Sequence, residues 1–363
     1  MNLTDLKTDC RHFKGTIPCR PHKIHGVHCT GPSGEPCQYY DKIDRNILII
    51  KLGAIGDVIR TTPILSPLKR KFPNAKIFWL THSPAVVPGA VDVVLKYSLA
   101  SLEYLKALQF NLLINLDKDY EACALASSLS SKEKQGFVMK NSMTSPANSL
   151  AEQKFLTGLF DDVNKENTKS YLEEMFEICG FKYNQEPYVL DSFSQFDAEW
   201  SFPKKGRVIG LNTGCGARWT SRLWSDQNWI ALTKRLQSDG NTVLFLGGAD
   251  EHEKNLAFAQ ATGGLYVGHF PLEKFISLMN QCDLVVTGVT MGMHIALGLR
   301  KKIVLFNNIF NPREFELFGL GEILQPSKPC QCFFQPKCTN KEYQCMEFLT
   351  VENVVGAVKR ILA

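Results

Sequence analysis

A chain of 363 residues with 44% hydrophobic and 21% charged residues has enough apolar material for two cores of roughly 150 residues each, and this composition excludes a disordered or fibrous protein. The formal charge of +5 is small and spread along the sequence, which argues against dedicated nucleic-acid binding; no apolar run approaches the roughly 18 residues of a membrane span. The opening MNLTDLKTDCRH lacks the apolar stretch of a secretory signal, so the chain is expected in the cytoplasm, where its twelve cysteines would stay reduced rather than form a disulfide framework.

Residues 1–42 are rich in Gly, Pro, His and Cys and show little hydrophobic periodicity, so they cannot build a core without a cross-link. Cys10, Cys19, Cys29 and Cys37, interleaved with His12, His22, His25 and His28, suggest a structural metal held by thiolates, zinc before others. Their spacing is not that of a nucleic-acid-reading finger. Residues 43–195 read as a first α/β domain, with strands predicted at Asn46–Leu52, Ala75–Thr81, Val91–Tyr97 and Phe110–Asp117. Their continuous Val, Ile and Leu runs suit a parallel sheet covered on both faces. Residues 118–195 look helical and polar, and the turn-forming stretch Asp191–Gly206 reads as a linker. Residues 196–363 form a second series, with strands at Arg207–Asn212, Asn241–Gly248, Gly264–Gly268, Asp283–Gly288 and Lys301–Asn307. Near its end Cys330, Cys332, Cys338 and Cys345 are compact enough to wrap one tetrahedral ion, iron or zinc. For both clusters, reduced unligated thiols are the alternative. Cys123, Cys179, Cys215 and Cys282 stand alone and read as small buried hydrophobes.

Strands alternating with helices twice over imply two doubly wound domains facing a cleft, whose ligands bind beyond the carboxyl ends of the strands. In KLGAIGD, Gly53 and Gly56 allow a sharp turn before Asp57, which is either a helix N-cap or a general base for an incoming hydroxyl. In NTGCGARWTSRLW, Thr213 and Gly214 follow a strand, and Arg218 and Arg222 suit a diphosphate, unless the loop is merely solvated. Trp219, Trp224 and Trp229 read as packing residues. In LFLGGADEHEKN, Gly248 ends a strand and Glu251 is placed either for ribose hydroxyls or for a helix dipole. In VVTGVTMGMHIALGL, the amides of Thr290, Met291 and Gly292 begin a helix and form an anion site, with His294 in its first turns. Asp117 and Lys118 could grip an acceptor or simply end a strand, while Lys51 and Arg60 could attract an acidic acceptor at a membrane surface.

ILIIKLGAIGDVIRTTPIL, LFLGGADEHEKN and TGVTMGMHIALGL, in this order, resemble glycosyltransferase family 9, the ADP-heptose:lipopolysaccharide heptosyltransferases, over about residues 45–360. The resemblance implies a GT-B fold and inverting, metal-independent transfer of a heptose from an ADP-sugar to a lipopolysaccharide core or surface glycan. It makes Asp57 the general base. Thr213, Gly214 and Arg222 would hold the diphosphate, Glu251 the ribose, and Thr290, Met291 and Gly292 the phosphates. Val289 stands where many relatives carry an acid directly before the threonine, which leaves the donor sugar open. A four-cysteine element like the rear one binds iron in the autotransporter heptosyltransferases, so protein O-heptosylation is an alternative activity. A non-catalytic nucleotide-sugar-binding protein is a third reading. The enzyme would work in the cytoplasm or against the inner membrane.

Overall fold

The structure is a computed structural model that describes residues 2–216 and 218–363. Its contacts divide it into two compact units. The first runs to Gly53 and adds Ile64–Pro84 and Gly89–Ala151; the second holds Ala54–Pro63, Ala85–Pro88 and Glu152–Ala363. Residues 152–195, which composition groups with the first sheet, therefore contact the second unit, as does the segment carrying Asp57.

The first unit is built on β1 (Arg45–Ile50), β2 (Ala75–Thr81), β3 (Val93–Lys96), β4 (Phe110–Asn115), β5 (Ser131–Lys140) and β6 (Met143–Pro146), in the order β3-β2-β1-β4-β5-β6. The pairs are parallel, with Ile47 opposite both Ile77 and Leu112, except for the antiparallel pair β5–β6. Ile47 to Ile50 are fully buried, as a central strand covered on both faces requires; Leu48, Ile50, Phe78, Leu80 and Leu113 meet in one core. β5 and β6 correct the expectation of a helical and polar middle. β5 starts with exposed Lys132 and Glu133 and is buried only from Gln135 to Val138, so an edge hairpin carries no apolar run for pattern reading to find.

Among the described residues the arm before β1 holds a 3-10 turn, Leu3–Asp5, and one short α-helix, Arg20–His25. Arg11 ties the arm to the rest of the first unit, donating to Asp92 at 2.7 Å and to the Ala75 carbonyl at 2.9 Å, and also to Asp41 within the arm at 2.9 Å.

The second unit carries β7 (Val208–Asn212), β8 (Thr242–Leu246), β9 (Leu284–Gly288), β10 (Lys302–Phe306) and β11 (Gly321–Leu324), all parallel, in the order β11-β10-β9-β7-β8. The strand expected at Gly264–Gly268 shrinks to a single bridge between Leu265 and Leu244. Gly263 and Gly268, at φ +72° and +105°, turn the chain away on either side in a conformation that strands do not adopt. Edge strand β11 is only half-buried and was not foreseen. Counting the bridge beside β8, the sheet has the doubly wound order, reversing between β7 and β9. Trp224 packs edge-to-face on Trp229 and Phe306, at 5.0 and 5.2 Å between centroids, so of Trp219, Trp224 and Trp229 the last two are core residues.

Candidate active site

The reversal between β7 and β9 is where an open α/β sheet leaves a crevice, and side chains from both strand ends knit it together. Asn212, closing β7, donates its amide to Thr287 Oγ1 at 2.9 Å and to Thr290 Oγ1 at 3.1 Å. Thr290 caps the helix Met291–Gly298, accepting the Gly292 amide at 3.1 Å. Thr213 donates to Asn255 at 2.6 Å, and its carbonyl accepts from Lys254 at 3.0 Å.

A cavity of about 450 Å³ opens against the start of this helix, lined by Asp57, Arg60, Thr290, Met291 and His294 among others. The helix Ile55–Thr61 brings Asp57 and Arg60 to it. A side chain at Gly56 would put its Cβ 2.4 Å from the His294 ring, so the glycine of GAIGD is what allows these two helices to meet. Asp57 pairs with Arg60 at 2.8 Å, whose guanidinium lies 3.3 Å from the Tyr171 ring centroid. Cation–π contact of this kind holds an arginine in place by roughly 0.5–2 kcal/mol. Burial, reinforced by the charge of Arg60, pushes His294 down to about 3. The imidazole is therefore neutral near pH 7, and its Nδ1 has no hydrogen-bond partner.

Arg222 donates one terminal nitrogen to the Val289 carbonyl and the other to the Cys215 carbonyl at 3.1 Å. Its head lies between Trp219 and Phe310, at 5.3 and 5.4 Å. Desolvation lowers its pKa. Its buried Nε lacks a partner, as does that of Arg60, and unsatisfied buried donors of this kind call for a ligand or water. Arg218 is exposed, over Trp219. Glu251 accepts the Gly248 amide at 2.9 Å, closing its own turn, and its carboxylate lies against Gly214.

Trp219, Phe310, Glu314, Phe315 and Phe334 also line the cavity and were missed in the sequence. Phe310 to Phe315 follow β10, so the strand-end rule applied to that loop would have found them. Phe334 lies inside the rear cysteine run. That run is tied to the arginine loop, because Ser221 donates to the Gln335 carbonyl at 2.7 Å and Asn308 bridges the Ser221 carbonyl and Cys345 Sγ at 2.9 and 3.3 Å. The four thiols stand as two pairs. Cys332 and Cys338 are 3.7 Å apart, about the ~3.8 Å edge of a thiolate tetrahedron with 2.3 Å metal–sulfur bonds. Cys345 accepts from Cys330 and, with the help of the Asn308 amide, is lowered to about 6. Amides of Cys332 and Thr339 donate to Cys330 and Cys332 at 3.3 and 3.2 Å, the outer hydrogen bonds that thiolate sites use. The donor chemistry thus fits a thiophilic ion, although among the described residues no three His, Cys, Asp or Glu are grouped to hold one.

Elsewhere, Lys51 and Asp117, expected to face an acceptor, bind each other and are 4% and 5% exposed. Asp117 also accepts the amides of Leu52 and, at 3.0 Å, Gly53, so the pair braces the turn after β1. Lys118 is half-buried beside it.

No curated protein matches the sequence. Among solved structures, the chain resembles a family 9 glycosyltransferase from Veillonella parvula at 16% identity and TM-score 0.67, over 88% of this chain and 97% of that one. It resembles the E. coli ADP-heptose lipopolysaccharide heptosyltransferase II at 17% and 0.64, over 87% and 98%. The dodecameric iron-containing heptosyltransferase TibC of enterotoxigenic E. coli, solved with ADP-D-β-D-heptose, matches at 12% and 0.58, over 88% and 76%. At these identities the likeness shows the fold: two parallel-sheet α/β units as in the heptosyltransferases. The sequence profile of glycosyltransferase family 9 (heptosyltransferase) matches residues 99–319, well over half of the chain, and with it the conclusion follows that this protein belongs to glycosyltransferase family 9.

Proposed function

We propose that the chain is an inverting heptosyltransferase that transfers a heptose from an ADP-sugar to a hydroxyl of a lipopolysaccharide core or related surface glycan. The observation that carries this reading is the single cavity shared by the Asp57 carboxylate and the start of the Met291–Gly298 helix. Asp57 takes the proton of the acceptor hydroxyl as its oxygen bonds to the anomeric carbon. The bond from that carbon to the diphosphate breaks on the opposite face, through a transition state of oxocarbenium character. The departing ADP gathers negative charge, which the guanidinium of Arg222 and the helix start at Thr290 to Gly292 are placed to stabilise. Neutral His294, with an unpartnered Nδ1, adds a polar contact without adding charge. Thr213, Gly214 and Glu251 would position the nucleotide, with Arg218 and Gly248 at its margin.

Within this reading the rear thiols Cys330, Cys332, Cys338 and Cys345 would hold a structural iron or zinc, because Asn308 donates to Cys345 and Ser221 to the Gln335 carbonyl of the same run, which ties the run to the loop that carries Arg222. An ion there would supply a rigid cross-link. Protein O-heptosylation is the second reading, favoured by this thiol set and by the iron of TibC. Among the described residues no helix is long and apolar enough to cross a membrane; we place the enzyme in the cytoplasm, meeting a lipid-linked acceptor at the inner membrane surface.

The test is a calorimetric titration with ADP, UDP and GDP in parallel, followed by ADP release from ADP-heptose with each acceptor class. Selective ADP binding and turnover are expected. Preference for another nucleotide would overturn the donor assignment.

A further inference from the structure

We propose that the N-terminal arm carries an iron–sulfur cluster on Cys10, Cys19, Cys29 and Cys37. The arm has almost no core of its own: among described residues 2–42 only Pro21 is buried. Segments of about 40 residues seldom stay folded without disulfides or metals. Yet this one has a defined path. Cys10 pairs across a bridge with Lys42, Thr30 pairs with Pro36, and the Cys37 amide donates to the Cys29 carbonyl at 2.9 Å.

All four cysteines line one cavity of about 340 Å³, whose walls are otherwise mostly apolar and include Leu6, Phe13, Ile17 and Pro18. Its size decides the kind of ligand. Around a single ion, thiolate sulfurs sit ~3.8 Å apart and leave no void between them, which is the spacing of Cys332 and Cys338 at 3.7 Å in the other cluster. The cavity that the four arm cysteines line is about ten times the ~30 Å³ that a water occupies. Four cysteines that line one cavity larger than a single ion and walled mostly by hydrocarbon fit a polynuclear cluster, which binds through four cysteine thiolates.

The backbone agrees. Cys10 and Cys37 each open a tight turn closed by an aromatic residue, with the Phe13 amide donating to the Cys10 carbonyl at 2.9 Å and the Tyr40 amide to the Cys37 carbonyl at 2.8 Å. The Tyr39 amide donates to Cys37 Sγ at 3.4 Å, the type of hydrogen bond that holds cluster sulfurs. Lys7 stands at the wall beside His12, His22 and His28, where its charge complements the negative charge of a thiolate-bound cluster. His25 instead stacks on Tyr39 at 4.9 Å. Because Arg11, next to Cys10, ties the arm to Asp92 and to the Ala75 carbonyl, the cluster would lock that fastening in place.

The experiment uses the full chain, purified without oxygen and reconstituted with ferrous iron and sulfide, and measures iron, zinc and acid-labile sulfide. Sulfide in roughly equal amount to iron is expected in the wild type and in Cys338→Ser, and its loss in Cys29→Ser. Since Cys29→Ser could misfold, the reconstituted wild type is also alkylated and its cysteines mapped by mass spectrometry. Cys10, Cys19, Cys29 and Cys37 should be protected until acid releases the iron. Zinc or iron without labile sulfide, sulfide lost in Cys338→Ser but kept in Cys29→Ser, or arm cysteines alkylated freely before acid would each overturn the proposal.

Discussion

Asp117 lies in the loop after β4 and Asp57 in the first turn of the helix that follows β1, yet they live in opposite surroundings. Asp117 is 5% exposed and takes hydrogen bonds from Lys51 and from the amides of Leu52 and Gly53. Asp57 has a side chain 34% exposed, pairs with Arg60, and lines a cavity. A carboxylate saturated by buried donors holds a turn together; one that faces open space can receive a proton from a substrate. Asp57→Asn keeps the shape and removes the base, so turnover should fall by ~10²–10⁴-fold with little change in the urea midpoint. Asp117→Ala leaves Lys51 buried without its counter-charge and should cost about 3–5 kcal/mol of unfolding free energy, read from urea denaturation. Loss of turnover without loss of stability in the Asp117 variant would reverse the comparison.

His294 sharpens the contrast through pH. Burial comes first among the causes that hold it at about 3, with Arg60 adding to it and Asp57 opposing; Tyr188 is the ring packed against it, at 5.9 Å. The folded-state value lies below the unfolded value of about 6.5, so between them the unfolded chain binds a proton that the folded chain refuses. This contribution is fully present above about pH 6.5 and is lost as pH falls toward 3, at up to ~1.4 kcal/mol per pH unit. Urea midpoints at pH 7 and pH 5 should therefore lie further apart in the wild type than in His294→Gln. Equal separations would mean that the ring is solvated.

The central strands were legible because both faces are covered, which forces unbroken apolar runs such as Ile47 to Ile50. β5, β6 and β11 were not, because edges keep one side polar. The turn at Gly53 to Asp57 and the helix at Thr290 stood out because glycine and a capping threonine mark backbone demands that few other residues meet. The cavity's aromatic wall did not. Trp219 and Phe334 carry the same letters as core residues, and nothing local separates Trp219, at the cavity, from Trp224, 3% exposed inside the core. Asp117 illustrates the opposite failure: Asp and Lys at a strand end look like ligands until their partners are seen.

The smallest effect tests the hinge between fold and site. Thr290 caps the Met291–Gly298 helix and accepts from Asn212. Thr290→Ala removes one cap, worth ~1 kcal/mol; the Asn212 amide keeps Thr287 at 2.9 Å, so the strand ends should stay joined and the protein should fold. If the threonine only caps, Thr290→Ser restores stability, and ADP affinity follows stability in both variants. If the hydroxyl also shapes the helix start as an anion site, Thr290→Ala weakens ADP binding beyond what its stability loss explains, while adenosine, which lacks the phosphates, binds unchanged. Equal losses for ADP and adenosine would place the phosphates away from this helix.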